Sequence, residues 1–161
     1  MRCVWISLAL MLAATTVSAS GASAQTAEQN LKAGKAFMAK VAKAPGMAKL
    51  PSGVMYRIVS RAPNPGAQPA LSDTVKIDYE GKLITGQVFD SSYARHEPAD
   101  LPLGRLVPAW QEVIPLMHVG DEVILYTPPS EAYGDRDLSP DIPPDSTLIF
   151  RVHLIGIEGA Q

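Results

Sequence analysis

The stretch Leu106-Val107-Pro108-Ala109-Trp110-Gln111-Glu112-Val113-Ile114-Pro115-Leu116-Met117 decides how the remaining segments are read. Val107, Trp110, Val113, Ile114 and Met117 recur at the three- and four-residue spacing of one helical face. Pro108 suits a first helical turn, where its missing N–H costs nothing. Pro115 removes a donor and disfavours the α region at Ile114, so the helix is predicted to run about two turns. The periodic segments around it read as strands, and strands with one apolar face need such a helix to cover them. Trp110 is the only tryptophan beyond the first few residues. On an apolar face a tryptophan is core in most cases, so a functional reading of its indole depends on what surrounds it.

Working outward, residues 75–83 carry the cleanest alternation in the chain. Val75, Ile77, Tyr79, Gly81 and Leu83 share one face, and Lys76, Asp78, Glu80 and Lys82 the other, which predicts a half-buried antiparallel strand. Residues 54–60, 122–127 and 147–157 are further strands, and residues 86–92 place Phe89 directly before the carboxylate of Asp90 after a turn. Residues 61–72, with Pro63, Pro65, Gly66 and Pro69, form a loop, as do residues 128–144 with five prolines. Residues 93–100 read as polar and irregular, and 101–103 as a short strand fragment. The expected fold is α+β, a curled antiparallel β-sheet wrapped over one short helix and preceded by an N-terminal amphipathic helix. That leading helix, within residues 25–44, sets Leu31, Gly34, Met38 and Val41 in a narrow stripe with Phe37 beside it, and ends at Pro45-Gly46. Such a helix either packs on the domain behind it or pairs with another subunit, and its pattern does not choose.

At the start of the chain, Arg2 precedes the apolar run 4–17 and the small residues Ala22-Ser23-Ala24, the arrangement of a cleaved secretory signal. The run falls short of the roughly 20 residues that span a bilayer, so no membrane anchor is expected after cleavage. Cys3, the single cysteine, lies ahead of the apolar run and leaves with the signal, so neither a lipid anchor nor a disulfide is expected. The expected division is 1–24 signal, 25–50 helical segment and 51–161 domain, in a periplasmic or secreted protein. With 14 basic against 16 acidic residues the chain lacks the positive face that a nucleic-acid partner requires.

Reactive constellations are absent from the sequence. His96, His118 and His153 sit in three unrelated segments without paired spacing, so no metal site and no cofactor are predicted. There is no nucleophile elbow and no phosphate-cradling glycine loop. The chain concentrates instead aromatic surface, Tyr79, Phe89, Trp110, Tyr133 and Phe150, at element ends or on inward faces. These rings could be core alone.

Five motifs in order give them another meaning. Val75-Lys76-Ile77-Asp78-Tyr79-Glu80-Gly81, Gly86-Gln87-Val88-Phe89-Asp90-Ser91-Ser92, Leu106-Val107-Pro108-Ala109-Trp110, Ala132-Tyr133-Gly134 and residues 142–150 together resemble the FKBP-type peptidyl-prolyl cis-trans isomerases over roughly residues 50–158. Leu50-Pro51-Ser52-Gly53 and the preceding helix resemble the secreted bacterial, macrophage infectivity potentiator-like subgroup, in which a longer helical segment supports a homodimer. The resemblance implies non-covalent acceleration of X-Pro rotation in exported polypeptides, with susceptibility to a macrolide inhibitor. By motif it implies that Tyr79, Phe89, Asp90, Trp110, Tyr133 and Phe150 form the catalytic pocket. Leu106 and Val107 would stand at its rim, the backbone N–H of Ile142 would hold the substrate carbonyl, and Arg95 would steady Asp90. For Asp90 and Arg95 a purely wall-fixing pair is an equal reading. The sequence departs from the pattern at Ala99, Ala109 and Leu138, and the stretch before Trp110 is about two residues short, which bears on macrolide affinity and peptide preference. Two competing readings are a periplasmic holdase or binding module with little isomerase activity, and an interaction protein whose surface is the N-terminal helix.

Overall fold

The strand Thr74–Leu83 organises the molecule, because both of its flanks are paired along most of its length. A computed structural model describes residues 26–136 and 140–158. The expected signal (1–24), Gln25 and Leu138 lie outside the described residues. In chain order the elements are α1 (Ala27–Val41), β1 (Ala48–Lys49), β2 (Met55–Ser60), β3 (Thr74–Leu83), β4 (Val88–Ser91), α2 (Ser92–Arg95), β5 (Ala99–Pro102), α3 (Pro108–Val113), β6 (Glu122–Thr127) and β7 (Leu148–Glu158). The sheet is antiparallel, ordered β1-β2-β6-β7-β3-β4, with β5 sharing the β4 flank of β3. It does not close into a barrel. Its marginal strands are short, two residues in β1 and four each in β4 and β5, and β2 carries a register shift between Ile58 and Ser60.

The four principal strands form within one residue of the bounds their alternation predicts. One face of β3, β6 and β7, including Val75, Ile77, Val123, Leu125, Val152 and Leu154, is buried. α3 covers it with Ala109, Trp110 and Val113, then tightens into a 3-10 turn, Ile114–Leu116, at Pro115. Pro108 occupies the first turn. Asp121, only 3% exposed, accepts hydrogen bonds from the backbone N–H groups of Ala62 (2.9 Å) and His118 (3.0 Å). Burial alone would raise its carboxyl, but these donors outweigh it and hold the group below its ordinary range. Asp121 thus pins the proline-rich loop to the entry of β6.

Two segments differ from expectation. Residues 93–100, read as irregular, contain most of α2 and the start of β5. The one-turn α2 carries no apolar periodicity; it forms because Ser91 caps it, accepting from Ala94 N at 3.2 Å, and His96 closes it in the left-handed region at φ 55°. β1, two residues long, is too short to show a period in the sequence.

α1 packs on its own domain. A capping box starts it, with Gln29 N bonded to Thr26 Oγ1 (3.3 Å) and Thr26 N to Gln29 Oε1 (2.9 Å). Phe37 meets Tyr126 of β6, ring centroids 6.1 Å apart, on the side of that strand away from α3. Gly34 is buried against Thr147 and Asn30 against the chain at Pro144.

Candidate functional site

Where β3, β4, β7 and α3 converge, side chains from each enclose a cavity of about 170 Å³. β3 contributes Tyr79, β7 contributes Phe150, and β4 contributes Phe89 and Asp90. Trp110 enters from the first turn of α3, preceded by Leu106 and Val107, and Tyr133 from the loop after β6. Trp110 stands edge-on to Tyr79 (5.4 Å, 76°) and to Phe150 (5.2 Å, 88°), and Phe89 edge-on to Phe150 (5.8 Å, 88°). Edge-to-face packing aligns each ring's positive rim with its neighbour's negative face. The indole is 4% exposed, and its buried Nε1 has no hydrogen-bond partner among the described residues.

Gly81 explains how the rings approach so closely. It lies opposite Phe150 in the register, and a Cβ there would stand 2.6 Å from Phe89 Cζ and 3.0 Å from Phe150 Cε1. Only a glycine leaves the sheet surface open for both rings.

Asp90 is the single carboxylate in the wall. The Tyr79 hydroxyl donates to its Oδ2 at 2.5 Å, Arg95 Nη1 donates to its Oδ1, and Arg95 Nη2 donates to the Tyr79 hydroxyl at 3.1 Å. The guanidinium carbon lies 5.7 Å from the Tyr79 ring centroid. Burial would raise the Asp90 carboxyl, but the hydrogen bonds from Tyr79 and Arg95 outweigh it and lower the group below its usual range. The Tyr79 hydroxyl is pushed up, by burial first and then by its bond to Asp90. The Tyr133 hydroxyl is pushed up as well, by burial and then by the Asp90 charge, and it makes no hydrogen bond among the described residues.

The sign of these shifts fixes a pH profile. A lowered folded value means that Asp90 is charged, and its contribution complete, above the ordinary carboxylate range; the contribution is lost as pH falls through that lowered value. Tyr79 keeps its proton beyond its ordinary range. Any activity of this pocket is therefore expected to be flat between about pH 5 and 9, between the ordinary carboxylate and phenol ranges. A limb with a midpoint between pH 6 and 8 in kcat/KM would contradict that.

The structure brings Tyr79, Phe89, Asp90, Leu106, Val107, Trp110, Tyr133 and Phe150 to one cavity. Arg95 reaches it only through Asp90 and Tyr79. Ile142 packs against the core, half-buried, and does not line the cavity. Two residues escape a sequence reading. Leu101 completes the wall from β5, and Ser92, fully buried, accepts from Tyr79 N (2.8 Å) while donating to Asp78 Oδ1 (2.8 Å), fixing the strand under the tyrosine. The alternation of Leu101 with Leu103 is a faint signal for the first; the second closes the motif at residues 86–92, which carries no signal of its hydrogen-bonding role. Ala109 is wholly buried in α3, and Ala99 sits at the start of β5.

A larger cleft, about 700 Å³, separates α1 from β1, β2 and the loop after β6; no aromatic ring lines it and it shares no residue with the ring cavity. Among the described residues no group of three or more His, Cys, Asp or Glu could hold a metal, and no helix is long and apolar enough to cross a membrane.

The sequence model of the FKBP-type peptidyl-prolyl cis-trans isomerase matches residues 66–155, more than half the chain and every residue of the cavity wall. The chain belongs to the FKBP-type isomerase family. A second match, to the domain amino-terminal to FKBP-type isomerases, covers residues 8–58 and therefore α1. Among its FKBP-type relatives, the outer membrane protein MIP of Legionella longbeachae is 40% identical over 134 residues, 83% of this chain and 57% of the relative. The FKBP-type 22 kDa isomerase of Escherichia coli K12 is 43% identical over 124 residues, 77% of this chain and 59% of the relative. The crystal structure of FkpA from Escherichia coli superposes with a TM-score of 0.77 at 38% identity, covering 84% of this chain and 62% of that one. The chain thus spans less than two thirds of the length of these relatives.

Proposed function

We propose that this protein is a peptidyl-prolyl cis-trans isomerase acting on proline-containing exported polypeptides by non-covalent catalysis in the ring cavity. Rotation about an X-Pro bond costs about 20 kcal/mol and takes tens of seconds or more without help. Nothing is broken in that reaction, so a pocket without a nucleophile is equipped for it. The planar amide is dipolar through resonance, and twisting it loses part of that charge separation, so a dry aromatic wall favours the twisted form over the planar one. A cavity of about 170 Å³ walled by four mutually packed rings, its one carboxylate already engaged by Tyr79 and Arg95, is the observation that carries the reading. Asp90 and Arg95 fix the wall and orient Tyr79. Trp110, Phe89 and Phe150 take the prolyl ring, and Leu106, Val107 and Tyr133 line the approach. By the family resemblance the N–H of Ile142, which lies outside the cavity lining, would bind the substrate carbonyl. Lowering the barrier by about 5 to 7 kcal/mol gives roughly four to five decades in rate.

The same reading takes residues 1–24 as an export signal, 25–50 as a helical segment and 51–161 as the isomerase domain, in the periplasm or secreted. A macrolide of the immunosuppressive class would compete for the cavity. A homodimer through α1 would use its cleft side, where Leu31 and Met38 remain only half-buried, and sedimentation at micromolar concentration tests it.

Exchange spectroscopy on a short Leu-Pro peptide tests the activity. Exchange accelerated by catalytic amounts of protein and suppressed by the macrolide is the expected result; exchange at the uncatalysed rate overturns it. The large cleft favours a second reading, a holdase that retains apolar segments. Suppressed aggregation of a proline-free client by a protein without peptide turnover would put that reading first.

A further inference from the structure

The N-terminal helix touches the loop that carries Tyr133, and it does so through two residues that are unusual for a helix stripe. Asn30 is 7% exposed, and its Nδ2 donates to the Pro144 carbonyl at 2.8 Å, across 114 residues of sequence. One turn on, Gly34 packs so closely that a Cβ there would stand 2.2 Å from Thr147 Oγ1. The contacted segment is braced internally: Ser146 Oγ donates to Pro143 O at 2.7 Å, and Asp145, in the left-handed region at φ 56°, donates its N–H to Gly134 O at 2.8 Å. Gly134 N in turn bonds Pro129 O at 2.8 Å, folding the arm that follows β6 back on itself. Tyr133 precedes Gly134 directly and forms one wall of the ring cavity.

From this continuous path we infer that α1 is a clamp on the β6–β7 loop, with Asn30 and Gly34 as positioning residues that set where Tyr133 stands. The inference rests on the isomerase reading for its kinetic consequence, but not for its structural one. A helix serving only as a tether needs neither a buried amide nor a glycine under a threonine. Both features have a cost within a helix, since glycine weakens it and a buried amide must find a partner. Both are repaid only at the loop. The clamp holds one side of the loop base while the Asp145–Gly134 bond transmits the position to the other.

The test uses the full chain and two independent lesions. Asn30→Asp keeps the shape but replaces the donor with an acceptor facing a carbonyl. Gly34→Ala inserts a methyl group against Thr147, and Gly34→Ala/Thr147→Ala removes the hydroxyl it would strike. Amide hydrogen exchange at Asp145 and Gly134 is expected to speed up about tenfold in both single variants and to return toward wild type in the double variant, in line with losing one buried hydrogen bond. On a Leu-Pro peptide well below the unfolding temperature, KM should rise about three- to tenfold with kcat changing less, because a displaced wall loosens the hold on the substrate. Exchange at both amides unchanged in Asn30→Asp and Gly34→Ala overturns the clamp, whatever the turnover. Faster exchange with KM unchanged also overturns it as a positioning device. A wild type without turnover defeats the isomerase reading instead, and the exchange data then decide the clamp alone.

Discussion

Phe89→Ala is expected to lower kcat/KM on a Leu-Pro peptide by about a hundredfold, a loss of about 2.7 kcal/mol in transition-state stabilisation, while the protein remains folded. Phe89 stands at the rim of β4, half-buried, over a bare patch of sheet at Gly81 and edge-on to Phe150. Without the ring, that patch and one side of the cavity open to water, and the dry wall proposed to discriminate a twisted amide from a planar one is lost. Because the ring is only partly buried, the stability cost should stay near about 1 to 2 kcal/mol. Peptide kinetics paired with the urea midpoint separate the two effects. Turnover within twofold of wild type would remove the ring cavity from the mechanism.

Trp110→Ala should act more harshly on the fold. The indole is 4% exposed and touches both Tyr79 and Phe150 at the start of a helix only six residues long. Deleting a buried tryptophan costs about 3 to 5 kcal/mol, including the void it leaves. Against a total of about 5 to 15 kcal/mol for a domain, that lowers the unfolding midpoint sharply and leaves the folded fraction without a pocket floor. Far-ultraviolet circular dichroism is the suitable probe, since the substitution removes the one tryptophan that reports on this core. Trp110→Phe should recover most of the stability and only part of the turnover, because a smaller ring refills the core but not the cavity wall. An unchanged midpoint in Trp110→Ala would show that the indole does not hold α3 to the sheet.

How much of this was visible in the chain depends on which residues carry a period. Val75, Ile77 and Tyr79 alternate because β3 has one wet face and one dry face, so its bounds and inward set followed directly. The short helix was bracketed by Pro108 and Pro115, whose backbone chemistry is local. The pocket residues became legible only as a set of motifs, since each ring taken alone is indistinguishable from core. What escaped was set by tertiary contact. Ser92 looks like any polar loop residue until its hydroxyl is found beneath Tyr79, and Leu101 becomes a wall only when β5 pairs with β3. The docking of α1 is illegible for the same reason: its stripe is narrow, and the residues that fasten it to its own domain, Asn30 and Gly34, are a polar amide and a residue with no side chain.

The short margins of the sheet bear on the company this protein would keep. A folding helper meets chains whose own backbone amides are unsatisfied and ready to recruit any open ladder. Here β1 ends after two residues, β4 and β5 after four, and β2 is broken by a register shift before its end, so among the described residues no long flat template is offered for strand addition. On the proposed function, clients would be gripped by side chains in a cavity without being zipped onto the helper's own backbone, which would keep a catalyst of folding from becoming a seed for aggregation.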